Sequence, residues 1–337
     1  MANNYNIRNL QAGQLKPLYF LHGTEPYYID RFAEKILEIA IPEHEKSFNE
    51  YVLYGKDVTV GDILNVARKF PMMAERQLVM VREAQAITDL GQKDAQALLE
   101  SYARNPLVST LLVLCFGKEQ DPKKNWVKSF AIKGEIHSFR KMYDSEIPDF
   151  IRDLCVEENI RISPKAVQLL GEHLGNNLQG ISKEIEKIKI NLKEGEGIDA
   201  DSIERFVGVS KEFNVFELQK ALADKNATKA FRIAHYFGNN AKDHPAPRIL
   251  ISLYNFFSKV LLLHGLGNKP DSELSRILGV NTFFLKDYKR AAQAYSLPRL
   301  RQIMSALRQA DARSKGVDAG NITESAMYKE LIYHFLA

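Results

Sequence analysis

Cysteine is scarce, with only Cys115 and Cys155 in 337 residues. Two are too few for a disulfide framework or a thiolate metal site. Cys115 lies inside an apolar run, where a small buried hydrophobe is the ordinary reading. Long apolar runs are lacking as well. The longest candidates, residues 111–116 and 260–263, are core-sized against the ~20 residues that a membrane helix needs. Residues 1–15 are polar and carry no signal-peptide core. These absences predict a cytoplasmic protein with no membrane contact. Strong charge of one sign is missing too: the net charge of +4 permits contact with nucleic acid without arguing for it. The rest of the composition, 45% hydrophobic and 26% charged, is that of a folded chain, and its length points to two or three domains.

Catalytic signatures are also missing. Residues 18–21 form a short apolar run ending at His22-Gly23, and a strand, glycine turn and helix invite a search for a phosphate loop. That loop needs Gly-x-x-x-x-Gly-Lys-Ser/Thr, whose amides cradle phosphate, whose lysine neutralises it and whose hydroxyl binds magnesium. Here His22-Gly23-Thr24-Glu25-Pro26-Tyr27-Tyr28 offers one glycine and no lysine. It puts a carboxylate where the anion would sit, and Pro26 removes a donor. No acidic pair follows a later strand: residues 78–81 lead into Arg82-Glu83, and residues 111–116 into Gly117-Lys118-Glu119. ATP hydrolysis is therefore not expected. The eight histidines show no zinc-hydrolase spacing, and no Gly-x-Ser-x-Gly elbow occurs. His22, His137 and His173 read as structural. No catalytic residue, cofactor or metal is expected.

What is present is a change of pattern. Apolar runs at residues 18–21, 51–54, 78–81, 111–116 and 135–139 alternate with amphipathic segments, which predicts a mostly parallel sheet with helices packed on it. Thr24 is the expected N-cap of the first helix, with Pro26 in its first turn. From about Tyr143 helical periodicity takes over, broken by Lys193-Glu194-Gly195-Glu196-Gly197. The expected division is an α/β domain over residues 1–142, a small helical domain over 143–210 and a helical bundle over 211–337. Residues 249–263 are apolar almost all round, as in a helix buried centrally or packed against neighbouring chains. The densest basic segment carries Lys118, Lys123, Lys124, Lys128 and Lys133 around Trp126. It reads as a solvated loop, the alternative being a weak contact with DNA phosphates.

Residues 67–81 are the most informative. Ile63, Leu64 and Ala67 share one helical face, and Met72 and Met73 fall off it if the helix continues past Pro71. With Phe70 they would make an adaptable apolar knob, since methionine moulds to a partner's pocket. The competing reading is that they cap the core of the sheet.

Taken with four other segments in order, this block resembles the delta subunits of bacterial DNA polymerase III clamp loaders. The other segments are residues 17–28, 111–116 with their Lys/Asp-rich sequel, 175–188, and the helix after Pro245. The resemblance implies a degenerate AAA+ module with a P-loop-NTPase-like parallel sheet, followed by two all-α domains, a small lid bundle and a helical collar. It further implies a subunit that binds no ATP and holds the ring-shaped sliding clamp (beta) open. Implied partners are the gamma/tau and delta-prime subunits and, within the complex, primed DNA. The implied class is that of the DNA-directed DNA polymerase holoenzyme. The family grips the clamp with apolar residues at a helix tip, which correspond here to Phe70, Met72 and Met73. Two departures are a methionine where the family commonly has a large aromatic or leucine, and Pro71 within the tip. Rival readings are a delta-prime-like or motor subunit, which usually carries a Ser-Arg-Cys segment that neither cysteine provides, and a nucleic-acid-binding helical adaptor.

Overall fold

A strand covered on both faces cannot alternate apolar and polar residues, and so β1 (Leu18–Gly23) and β4 (Thr110–Phe116) are buried at every position. With β2 (Glu50–Tyr54), β3 (Gln77–Arg82) and β5 (Glu135–Phe139) they form one five-stranded sheet in the order β2-β3-β4-β1-β5. Every pairing is parallel. The computed structural model describes residues 7, 10–193, 195–317 and 323–337.

Parallel strands require crossovers, and five helices supply them here: α1 (Pro26–Ile39), α2 (Lys46–Asn49), α3 (Val60–Ala67), α4 (Lys93–Arg104) and α5 (Asn125–Lys133). The two-residue period of a strand sorts its side chains into two layers. Leu18 and Phe20 join Val79, Leu112 and Leu114 in a core shared with α3, α4 and α5. Tyr19 and Leu21 join Met80 and Val113 in a second core, covered by Ile29, Phe32 and Ile36 of α1.

Two local expectations are corrected. Residues 125–133, read as part of a solvated basic loop, are α5, with Trp126, Val127 and Phe130 buried. The rings of Trp126 and Phe130 sit 5.7 and 5.2 Å from that of Phe20, so an aromatic cluster holds the helix on the sheet. The N-cap of α1 is Glu25 rather than Thr24, and its carboxylate accepts from the Tyr27 amide.

The chain falls into two compact units, Met1–Glu146 and Ile147–Ala337. The first ends in a local lock. Arg140 makes two hydrogen bonds to Glu146 at 2.8 and 2.6 Å, and these hold the Glu146 carboxyl down to about 2. In the second unit the described residues form helices, with one isolated parallel bridge between Ile162 and Ile198. The helices are α6 (Ile147–Glu157), α7 (Pro164–Leu174), α8 (Leu178–Asn191), α9 (Ala200–Val207), α10 (Val215–Ala223) and α11 (Ala227–Asn239). They continue with α12 (Ala246–Leu266), α13 (Asp271–Leu278), α14 (Thr282–Ala294), α15 (Leu297–Ser314) and α16 (Glu324–Leu336).

The long helix α12 sends Ile249, Leu253, Phe256, Phe257 and Val260 into the bundle core and leaves Ile251, Tyr254 and Leu262 exposed. Among the described residues it is the one helix long and apolar enough, by length and composition, to cross a membrane. Arg248, Asn255 and Lys259 interrupt its apolar stretch, so no single uninterrupted run in the sequence reaches that length.

The second unit carries a carboxyl raised well above its ordinary range. Glu172 on α7 is half-buried, and desolvation pushes its carboxyl up to about 8 despite Lys165, Arg248 and the Val215 amide. A carboxyl raised above its ordinary 4.5 contributes stability that is fully present below that value and is lost as pH rises through about 8. Glu172→Gln removes this loss. In thermal melts its advantage over the parent grows between pH 4.5 and about 8 and is constant above. A parallel pH profile for the two proteins would refute the assignment.

Candidate protein-docking site

The end of β1, where a nucleotide-binding sheet offers free amides, is closed in this chain. Gly23 has φ of 144° and lies so close to β5 that a Cβ on it would meet the Phe139 carbonyl oxygen at 1.9 Å. The next two amides, of Thr24 and Glu25, both donate to that oxygen at 2.8 and 3.2 Å. Donors that could face an anion are thus spent inside the fold. The Glu25 side chain is buried against the start of α1, and desolvation raises its carboxyl above the usual range. His22 is buried and accepts from the Gln120 amide through Nδ1 at 3.2 Å, with burial lowering its basicity. At the end of β3, Arg82 pairs with Asp30 of α1 at 3.3 Å. Gly117, just past β4, donates to Gln85 Oε1 at 2.8 Å. No group of three or more His, Cys, Asp or Glu side chains among the described residues could hold a metal ion.

The exposed apolar chemistry lies elsewhere. Thr59 opens α3 with a capping box to Asp62, and Val60, Ile63, Leu64 and Ala67 bury one face. The helix stops at Ala67 rather than running on, because Pro71 cannot sit in a continued turn. Phe70, Met72 and Met73 therefore stand on a loop, residues 68–76, and not on the last turn of a helix. The structure brings all three to the surface, with Phe70 77%, Met72 59% and Met73 101% exposed. None of them covers the sheet core.

Two buried amide side chains hold this loop at its base and near its crest. Gln77, the first residue of β3, donates through Nε2 to the carbonyls of Val66 and Lys69 at 3.2 and 2.6 Å and to Thr110 Oγ1 at 2.8 Å. Asn49, the last residue of α2, brackets Met72. Its Oδ1 accepts from the Met72 amide at 2.7 Å, and its Nδ2 donates to the Met72 carbonyl at 3.0 Å and to that of Glu45 at 3.1 Å. Both side chains are 1% exposed. Immediately after the bracket the backbone turns left-handed, Met73 having φ of 50°. A non-glycine residue there carries strain, which the surrounding bonds must hold. The result is a preset apolar crest flanked by Arg68, Lys69 and Arg76. Sequence reading found the crest by its composition and missed Asn49, Gln77 and the neighbouring Phe48, which is 61% exposed. Gln77 had one local signal, a lone amide opening an apolar strand. Asn49 had none, because its partner is 23 residues away.

Comparison with known proteins gives a consistent pattern. The profile of the family described as DNA polymerase III, delta subunit, matches residues 19–139, and that of the DNA polymerase III delta subunit, C-terminal domain, matches residues 212–333. The DNA polymerase III subunit delta of Bacillus subtilis (strain 168) is 26% identical over 321 residues, covering 91% of this chain and 90% of its own length. The probable DNA polymerase III subunit delta of Aquifex aeolicus (strain VF5) is 25% identical over 311 residues, covering 88% and 86%. Among solved structures, the Bacillus subtilis DNA clamp loader delta protein aligns with a TM-score of 0.51 at 23% identity over 96% of each chain. That likeness bears on the fold alone, an α/β module with a parallel sheet followed by helices.

Proposed function

Because the chain belongs to the DNA polymerase III delta subunit family, we propose that it grips the sliding clamp through Phe70, Met72 and Met73 and holds the ring open for loading onto primed DNA. The observation that carries this reading is the crest itself, large apolar side chains exposed together on a loop that buried amides hold in place. Burying one such side chain in a partner's pocket contributes about 1.5–3 kcal/mol. A loop already ordered loses little freedom on docking, so most of that gain appears as affinity. Ring opening then follows as a population shift: a ring that is mostly closed opens only by as much as this chain prefers the open form.

The closed turn after β1 supports the second half of the reading, that the chain neither binds nor hydrolyses ATP. The energy for engaging and releasing the clamp comes from nucleotide held by gamma/tau subunits, with delta-prime completing the assembly in the bacterial cytoplasm. The chain has no catalytic site of its own and takes its enzyme class from the polymerase complex. We further assign α6 to α9 to a lid-like bundle and α10 to α16 to the collar. A single apolar core running from Val215 to Phe335 draws on none of the earlier helices.

The test is gel filtration of the purified chain with the cognate sliding clamp, without nucleotide. A stable complex is expected, and millimolar MgATP should change neither the complex nor the melting temperature of the chain alone. Separate elution overturns clamp gripping, and a nucleotide-dependent rise in melting temperature overturns the ATP-free reading.

A further inference from the structure

The residue that sets the crest in position is not on the crest. Asn49 is buried, and its carboxamide donates to the Glu45 and Met72 carbonyls and accepts from the Met72 amide. Pairing one amide with both the N–H and the C=O of a single residue fixes that peptide's position and its rotation. The fixed residue lies between Phe70, which precedes it by two positions, and Met73, whose φ of 50° is a conformation an unrestrained methionine seldom adopts. Loss of the bracket removes the two hydrogen bonds that hold Met72 next to that strained residue. Gln77 acts at the base of the loop, on Val66 and Lys69, and does not reach Met72.

We propose that Asn49 is a positioning residue for partner docking: it holds Met72 and Met73 in the one arrangement that enters the partner's pocket, without touching the partner itself. The inference rests on the clamp-gripping reading. Its consequence is energetic. A loop that must be ordered at the moment of binding loses affinity equal to that ordering cost. Only the free chain changes, whatever the shape of the pocket.

Titration of the purified cognate sliding clamp against Asn49→Ala, with Met72→Ala/Met73→Ala as reference, tests the inference. Asn49→Ala should weaken binding about tenfold, and hydrogen exchange at the Met72 amide should lose its protection. Asn49→Asp supplies the control for fold damage. Ionised, it retains the acceptor for the Met72 amide but sets a charge against the Met72 and Glu45 carbonyls. Protonated, it can donate again. Its affinity should therefore recover towards the parent's as pH falls from 8 to 5.5, while the parent's stays level over that range. Affinity within twofold of the parent for Asn49→Ala, or no pH-dependent recovery for Asn49→Asp, overturns the proposal while leaving clamp gripping intact. If Met72→Ala/Met73→Ala also binds as the parent does, the gripping reading itself fails and this inference falls with it.

Discussion

Replacing Met72 and Met73 together by alanine should remove the proposed binding of the sliding clamp, a loss of at least about a hundredfold in affinity, and should leave the melting temperature within about 2 °C of the parent. The two halves of this expectation have separate physical grounds. Met73 is 101% exposed and contributes no packing to the folded chain, and Met72, 59% exposed, contributes little. Losing them opens no cavity in either core of the sheet. In a complex the same side chains would lose their hydration, and each contributes about 1.5–3 kcal/mol when enclosed. Met73→Gly is the control for the backbone, because glycine adopts the positive φ at this position without strain. It too should lose affinity, with the fold no less stable. Titration against the purified clamp, paired with thermal melts, decides the matter. Parent-like affinity in the double variant would sink the docking assignment.

The second large effect is on stability. Gly23→Ala should destabilise the first unit by about 3 kcal/mol or more, seen as a melting temperature lowered by roughly 10 °C or as insoluble protein. The new Cβ would sit 1.9 Å from the Phe139 carbonyl oxygen and 2.6 Å from its carbon, and these are backbone atoms of a paired strand that cannot swing aside. The φ of 144° adds strain for any residue with a side chain. Were this glycine kept for nucleotide contact, its replacement would leave the fold alone and alter ATP binding. A melting temperature unchanged by Gly23→Ala would therefore count against the closed turn.

The elements the sequence made plain are those whose burial is two-sided. Residues 18–21, 78–81 and 111–116 read as strands because a parallel sheet covered by helices permits no polar alternation. Where the reading failed, composition masked geometry. Between Lys118 and Lys133 the charges drew attention, while Trp126, Val127 and Phe130 sat at the i, i+1, i+4 spacing of a buried helical face. The crest was legible as residues out of helical register, but its backbone was not. The helix stops short of it, and its shape depends on Asn49 and Gln77, amides that a local pattern cannot pair with distant carbonyls. Thr24 failed as an N-cap for a similar reason, because the amides of Thr24 and Glu25 answer to Phe139, over a hundred positions later.

The sheet order also has a consequence for how the chain is made. Strand β1 leaves the ribosome first, yet its neighbours on either side are β4 and β5, with Leu18 opposite Leu112 and Tyr19 opposite Glu135. At about 5–20 residues per second, those partners arrive roughly 5–25 s later. Throughout that interval Leu18, Tyr19, Phe20 and Leu21, all at most 1% exposed in the finished protein, have no strand to pair with. An interior strand is thus the first of the five to be made and among the last to be flanked on both sides, so its apolar residues wait for partners until Phe139 has emerged.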